Sequence, residues 1–223
     1  MNERHEYKLA IHACDRLVLR QGLSAVAKRD PNAGADGSYK VRSLYFDNFD
    51  DKALREKLEG VDRREKFRLR YYNDDFSLIL LEKKSKARGL CRKRQSRLTK
   101  GEAEAILGGD CAFLLKGDAL RQELYAKLAA EQLRPRAIVD YRREPFVYAP
   151  GNVRVTLDGD IRTGLYSRSF FDPLLPTVPV GDAPYLLEVK FDAFLPDPIL
   201  SVLALGTRQT SAFSKYAASR VFG

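Results

Sequence analysis

Charged residues recur at alternate positions inside segments that otherwise read as β-strands. Arg68 and Arg70 do so in KFRLRYY, Lys84 and Lys86 in LLEKKSK, Arg154 in NVRVTL and Lys190 in LLEVKF. Carboxylates join them: Glu6 precedes Lys8, Glu82 precedes Lys84 and Glu188 precedes Lys190. Strand side chains alternate between faces, so each spacing of two puts both charges on one face. An unpaired buried charge is very costly, so strands of this kind cannot stack their charged faces on an apolar core. Those faces meet solvent or line a cavity that holds an anion. A closed sheet around a polyanion satisfies the pattern.

The opposite faces are apolar. Phe67, Leu69 and Tyr71 oppose Arg68, Arg70 and Tyr72; Val153, Val155 and Leu157 oppose Arg154, Thr156 and Asp158; Leu187, Val189 and Phe191 oppose Glu188 and Lys190. Lys83 falls on the outward side of its strand and reads as an ordinary solvated lysine. Arginine suits the charged side because its planar fork grips two phosphate oxygens, and lysine supplies a compact charge. The paired carboxylates can hold a divalent metal that bridges phosphate oxygens, with Glu188 the best candidate ligand. They can also orient neighbouring Arg and Lys side chains.

The length of 223 residues suits one domain spanning 1–223, and the 44% apolar content supports a core. Lys and Arg number 39 against 30 Asp and Glu, which favours an anionic partner. A nucleic-acid sheet reader wants aromatics on its basic face, yet Phe67, Leu69 and Phe191 lie opposite, so no nucleic acid is expected. GLCRKR lacks P-loop glycine spacing and no dinucleotide fingerprint occurs, which argues against a doubly wound nucleotide fold. Cys14, Cys91 and Cys111 form neither a disulfide framework nor a zinc pattern, and a reducing compartment is the simpler expectation. The charged start MNERHEYKLAIHAC has no signal-peptide core, and no run of 18 apolar residues predicts membrane insertion. His5 and His12 do not form a metal motif.

Along the chain, RHEYK begins a strand and a helical rhythm covers 11–28. YKVRSLYFD is a strand and DKALREKLEG a short helix. EKFRLRYYN, FSLILLEKKSK and LCRKRQSRL form a meander with turns at NDD and ARG. Thr99 and Glu102 resemble a capping box, and a longer helix spans 119–133. RAIVDYRREPFVY, NVRVTLDGDI and PYLLEVKFDAF are strands, and PDPILSVLALG and TSAFSKYAASRVF end the chain as short helices. The expectation is a mainly β (α+β) fold: an antiparallel, eight-stranded closed tunnel barrel with peripheral and C-terminal helices.

The ordered segments RHEYK, SLYFDN, KFRLRYY, LLEKKSK, CRKRQSRL, YRREPF, VRVTLDGDI, LLEVKFD and FSKY resemble the VTC domain. That domain is the polyphosphate polymerase module of the triphosphate tunnel metalloenzyme (CYTH-like) superfamily, and the resemblance covers nearly the whole chain. Arg4 stands where ExExK relatives carry their first carboxylate. The resemblance implies that Lys8, Arg68, Arg70, Lys84, Arg143, Arg154 and Lys215 with its neighbour Tyr216 bind nucleotide and phosphate chain. Lys190 lies beside such positions, and Lys93 or Arg94 adds a further cation. Arg143 is preferred to Arg142 because YRREPF matches there. Glu188, with Glu6 beside it, implies a site for Mn2+ or Mg2+. The expected function is an ATP-dependent polyphosphate polymerase, with catalysis carried by Lys8, Arg68, Arg70, Lys84, Arg143, Arg154, Lys190 and Lys215. A metal-dependent inorganic or organic triphosphatase and a non-catalytic polyphosphate-binding module are the alternatives. The expected partners are ATP, inorganic triphosphate and polyphosphate, and the resemblance implies a cytoplasmic setting.

Overall fold

The computed structural model describes residues 4–88, 90–180, 185–204 and 213–220. In chain order the elements are β1 (His5–Ile11), α1 (Ala13–Val26), β2 (Lys28–Arg29), β3 (Tyr39–Asp47), α2 (Lys52–Leu58), β4 (Arg64–Tyr72), β5 (Asp75–Ala87) and β6 (Leu90–Leu98). There follow α3 (Lys100–Gly108), α4 (Ala119–Ala130), β7 (Arg134–Tyr148), β8 (Val153–Thr163), β9 (Val178–Pro179), β10 (Tyr185–Phe191), α5 (Asp197–Leu203) and α6 (Lys215–Ser219). Parts of four expected features, Gly89 of the ARG turn, Pro184 of the last long strand, 205–206 of PDPILSVLALG and 210–212 with 221–222 of the terminal helix, lie outside the described residues.

Local chemistry places these elements. Asn73 and Asp74 both adopt positive φ, as a tight β4–β5 hairpin requires. Thr99 Oγ1 accepts from the Glu102 amide, and Glu102 Oε2 accepts from the Thr99 amide, which closes the expected capping box of α3. Gly159 of β8 has no room for a side chain, since a Cβ would stand 2.4 Å from the Tyr185 ring.

The elements group into two compact units. The first takes the described parts of Met1–Lys40, Tyr141–Ile161 and Pro179–Ser214. Its core joins Ile11, Leu19 and Leu23 to Val153, Val155, Leu157, Leu187, Val189 and Ile199. The second takes the described parts of Val41–Asp140, Arg162–Val178 and Lys215–Gly223. Its core joins Phe67, Leu69, Tyr71, Ile79 and Leu81 of the meander to Ile106, Leu120 and Leu124 of α3 and α4. In both, the apolar strand faces predicted from alternation are the core faces. Each fully buried large side chain contributes roughly 1.5–3 kcal/mol.

The expected closed barrel does not form. The hydrogen-bonded strand order is β1-β10-β8-β7-β3-β4-β5-β6, with β2 on β7 and β9 on β8. This is a path with two ends: among the described residues β1 pairs with β10 and β6 with β5, and neither pairs with the other. The fold is an open antiparallel sheet with peripheral helices. Alternation specifies faces, whereas closure needs two edges that accept each other. The β6 edge carries Arg92, Lys93, Arg94 and Arg97, and lysine- and arginine-rich edges resist further pairing.

A second correction concerns Lys83. It is not a solvated lysine: it is 8% exposed and pairs with Glu65 and Glu123. The helix α4 delivers Glu123, a partner that strand periodicity cannot reveal.

Candidate functional site

In the first unit, β1 and β10 run antiparallel with Lys8 opposite Glu188 and Glu6 opposite Lys190. Four charged groups therefore meet on one face. Lys8 Nζ lies 3.2 Å from Glu6 Oε2 and 3.6 Å from Glu188 Oε2. Lys190 Nζ lies 3.4 Å from Glu6 Oε1 and 2.5 Å from Glu188 Oε1. On β8, Arg154 stands opposite Lys190, and Thr156 opposite Glu188. Arg154 Nη2 reaches Asp30 Oδ2 at 2.7 Å and donates to the Tyr39 hydroxyl at 3.1 Å. Arg143 donates from Nε and Nη2 to the two oxygens of Asp158, at 2.6 and 2.7 Å. Burial works against the Arg143 charge, but Asp158, Tyr141 and Glu188 more than restore it, so the guanidinium stays charged. Its neighbour Arg142 pairs with exposed Asp36, one residue and one face away.

In the second unit, the register puts Arg70 opposite Ser43 and Arg68 opposite Tyr45, and Glu82 opposite Arg68. Glu82 is 1% exposed. Its Oε2 accepts from Arg68 Nε at 2.6 Å and lies 3.6 Å from Arg70 Nη1, while its Oε1 pairs with Lys93. Burial alone would raise the Glu82 carboxyl; Arg68, Arg70 and Lys93 outweigh it and hold it far below the ordinary carboxylate range. Arg70 Nε donates to Ser43 Oγ at 3.0 Å. Lys84 follows Glu82 on the same face and stands opposite Lys66 and Lys93. Lys93, not Arg94, is the β6 cation here, since Arg94 turns to Glu123 on the other face.

Lys215 opens α6, and Tyr216 beside it is buried. The Tyr216 hydroxyl donates to Asp47 Oδ2 at 2.6 Å, and its ring stacks on Tyr45 with centroids 5.1 Å apart. Arg220 locks the same helix through both oxygens of Asp51. Tyr216 thus reaches the cationic face through the Tyr45 ring.

The VTC domain family matches residues 3–222. The chain belongs to the VTC domain family. No curated protein matches it. Among solved structures it is similar to a Hippeastrum protein named as an adenylyl cyclase with a dominant triphosphatase activity, at 13% identity and TM-score 0.56, over 99% of this chain and 95% of that one. It is also similar to the PH1012 protein of Pyrococcus horikoshii, at 14% identity and TM-score 0.53, over 96% and 98% of the two chains. These likenesses show that this VTC domain shares its fold with those structures.

Several residues of this VTC domain escaped the sequence reading. Asp30, which fixes Arg154, is one, and Tyr45, Ser43 and Asp47, which share one face of β3, are others; Asp158, already placed on the polar face of its strand, fixes Arg143. The signal for the β3 set was present, because SLYFDN alternates; it carries no formal charge except Asp47, and a search for charge passes over it.

Whether a divalent metal suits this VTC domain turns on its donors. Among the described residues no group of three or more His, Cys, Asp or Glu forms a metal cluster. Glu6 and Glu188 nevertheless supply carboxylates on one face, and buried Thr156 Oγ1, opposite Glu188, makes no hydrogen bond to any described residue. These are hard oxygen donors, and Mg2+ is commonly held by one or two carboxylates with phosphate oxygens completing its shell. The donor types fit, and in this structure the same carboxylates pair with Lys8 and Lys190.

Proposed function

We propose that this chain is a phosphotransferase that extends polyphosphate from ATP. The observation that carries the reading is Glu82: one buried carboxylate holds Arg68, Arg70 and Lys93 in place on a face that continues into Lys66 and Lys84. Membership of the VTC family supports it.

Arg68, Arg70, Lys84 and Lys93 grip the phosphate chain, with guanidinium forks on paired oxygens and ammonium groups on single ones. Arg143, Arg154, Lys8 and Lys190 bind the triphosphate of ATP. Glu188 and Glu6 would hold Mn2+ or Mg2+, which neutralises triphosphate oxygens when bound. In the proposed transfer a polyphosphate end is the nucleophile at the γ-phosphorus: a P–O bond forms as the bond to ADP breaks, and ADP departs with the bridging oxygen. Arg143, prealigned by Asp158, meets the charge that spreads over the equatorial oxygens. Lys215 is placed with Tyr216 at the start of α6 and serves the phosphate chain as a further cation.

Incubation with ATP and Mn2+, followed by sizing of the products on a gel, tests the reading. Long-chain polyphosphate with ADP is expected; free phosphate without chain overturns polymerisation. That second outcome defines the runner-up, a triphosphatase in which water replaces the chain end. It is supported by the dominant triphosphatase activity of the Hippeastrum protein that shares the fold.

A further inference from the structure

We propose that Tyr45 is a positioning residue whose proton couples phosphate binding on the β4–β5–β6 face to pH, because its phenolate and a bound phosphate oxygen compete for the Arg68 guanidinium. This rests on the reading that the face binds a phosphate chain.

The geometry fixes the phenol among cations. Arg68 Nη1 donates to the Tyr45 hydroxyl at 2.9 Å, while Nε of the same guanidinium is held by Glu82. Lys66 Nζ lies 5.5 Å and Arg68 Cζ 5.7 Å from the Tyr45 ring centroid. The ring is 2% exposed and stacks on Tyr216, whose hydroxyl is tied to Asp47, so it is braced in this position. The groups around it are Lys66, Arg68 and Arg70 of β4, Glu82 of β5 and Lys93 of β6 behind Arg68, and Tyr216 of α6 with Asp47 and Arg220 bonded to it. Burial raises the phenol, but Arg68, Lys66 and Arg70 outweigh it and bring it down to about 7.

A neutral phenol accepts from Arg68 and leaves the positive charge of the face intact. A phenolate cancels one cation, draws Arg68 Nη1 more strongly and repels a phosphate oxygen on that guanidinium. Linkage is reciprocal, so a phosphate chain that is weakened by the phenolate must in turn raise the Tyr45 pKa.

The experiment is a metal-free titration of the intact chain, read by tyrosinate absorbance in the near ultraviolet, with and without saturating inorganic triphosphate. One of the 11 tyrosines should ionise near neutral pH in the free protein. Triphosphate should move that midpoint up by about one unit, the equivalent of about tenfold weaker binding above the step. Tyr45→Phe keeps the ring stack and should remove the step. Its triphosphate affinity should lack the extra decline, about fivefold between pH 6 and 8, that the wild type shows, a ratio from which the ionisation of triphosphate itself cancels. Absence of a near-neutral step in the folded wild type overturns the proposal without recourse to any variant. So does a step that survives Tyr45→Phe, or one that bound triphosphate does not move. Triphosphate that binds at no pH overturns the phosphate reading and the coupling together, and the free-protein step distinguishes that case.

Discussion

On the face of the first unit, carboxylates and cations match one for one: Glu6, Glu188, Asp158 and Asp30 stand against Lys8, Lys190, Arg143 and Arg154. On the face of the second, Glu82 is, among the described residues, the carboxylate shared by Arg68, Arg70 and Lys93, with Lys66 and Lys84 beside them. The matched face is neutral until something takes its carboxylates or its cations, so it suits a ligand that brings both signs, such as a metal-bound triphosphate. The face with excess cations attracts an anion by itself. The same alternating strand pattern therefore supports two different tasks, and the number of carboxylates per cation separates them.

The sharpest way to break this comparison is to remove the carboxylate that the second face cannot spare. Glu82→Gln leaves three cations without their common counter-charge in a buried site, a change that costs about 3–5 kcal/mol. Urea denaturation at neutral pH should show a lower midpoint with an unchanged slope. The sign with pH follows from the depressed carboxyl. Its stabilisation is complete above the ordinary glutamate pKa and is lost as pH falls below it toward the native value. The wild type should thus lose stability on acidification from about pH 5 more steeply than Glu82→Gln, and the two should converge. Parallel curves would deny Glu82 its role.

Glu188→Gln probes the matched face. Glu6 remains for Lys8 and Lys190, so the fold should survive with a smaller loss of stability than Glu82→Gln causes. Metal-dependent turnover of ATP should fall about a hundredfold, equal to about 2.7 kcal/mol of lost transition-state stabilisation. Metal-free triphosphate binding should not weaken, because the substitution removes a negative charge beside Lys8 and Lys190 and leaves the cations of the second face untouched. Loss of both would merge the two tasks into one; an unchanged turnover would remove Glu188 from the site.

The strand faces were legible because the side-chain period of two is rigid: Phe67, Leu69 and Tyr71 had to oppose Arg68 and Arg70, and they do. Helix starts were legible where a local cap writes them, as at Thr99. Closure was not, since it depends on whether β1 and β6 accept each other, and periodicity within a strand is silent on its neighbours. The misreading of Lys83 has the same origin. Its partner Glu123 comes from 40 residues away, and only tertiary packing turns an outward lysine into a buried one. Arg42 went unread for that reason too. It is 1% exposed and donates to both oxygens of Asp140, a pair made by long-range packing rather than by spacing. Tyr45 gives no signal of its own within SLYFDN, because its chemistry comes from the cations opposite and not from its own formal charge.

The smallest expected effect is also the most demanding test of face assignment, because it separates neighbours. Arg142 and Arg143 share a strand, a charge and a side-chain type. Arg143 donates two hydrogen bonds to Asp158, which is fully buried, on the charged face, whereas Arg142 is exposed and pairs with exposed Asp36. Exposed pairs of this kind contribute about 0–1 kcal/mol. Arg142→Gln should therefore shift the denaturation midpoint marginally and leave turnover at the wild-type level. Arg143→Lys retains the charge but loses the planar fork, and should lower turnover about tenfold while Arg142→Gln does not. Equal losses from the two would mean that charge near β7 matters and face does not. A loss confined to Arg143 ties activity to the side of the strand on which the guanidinium stands, the property that alternation in the sequence encodes.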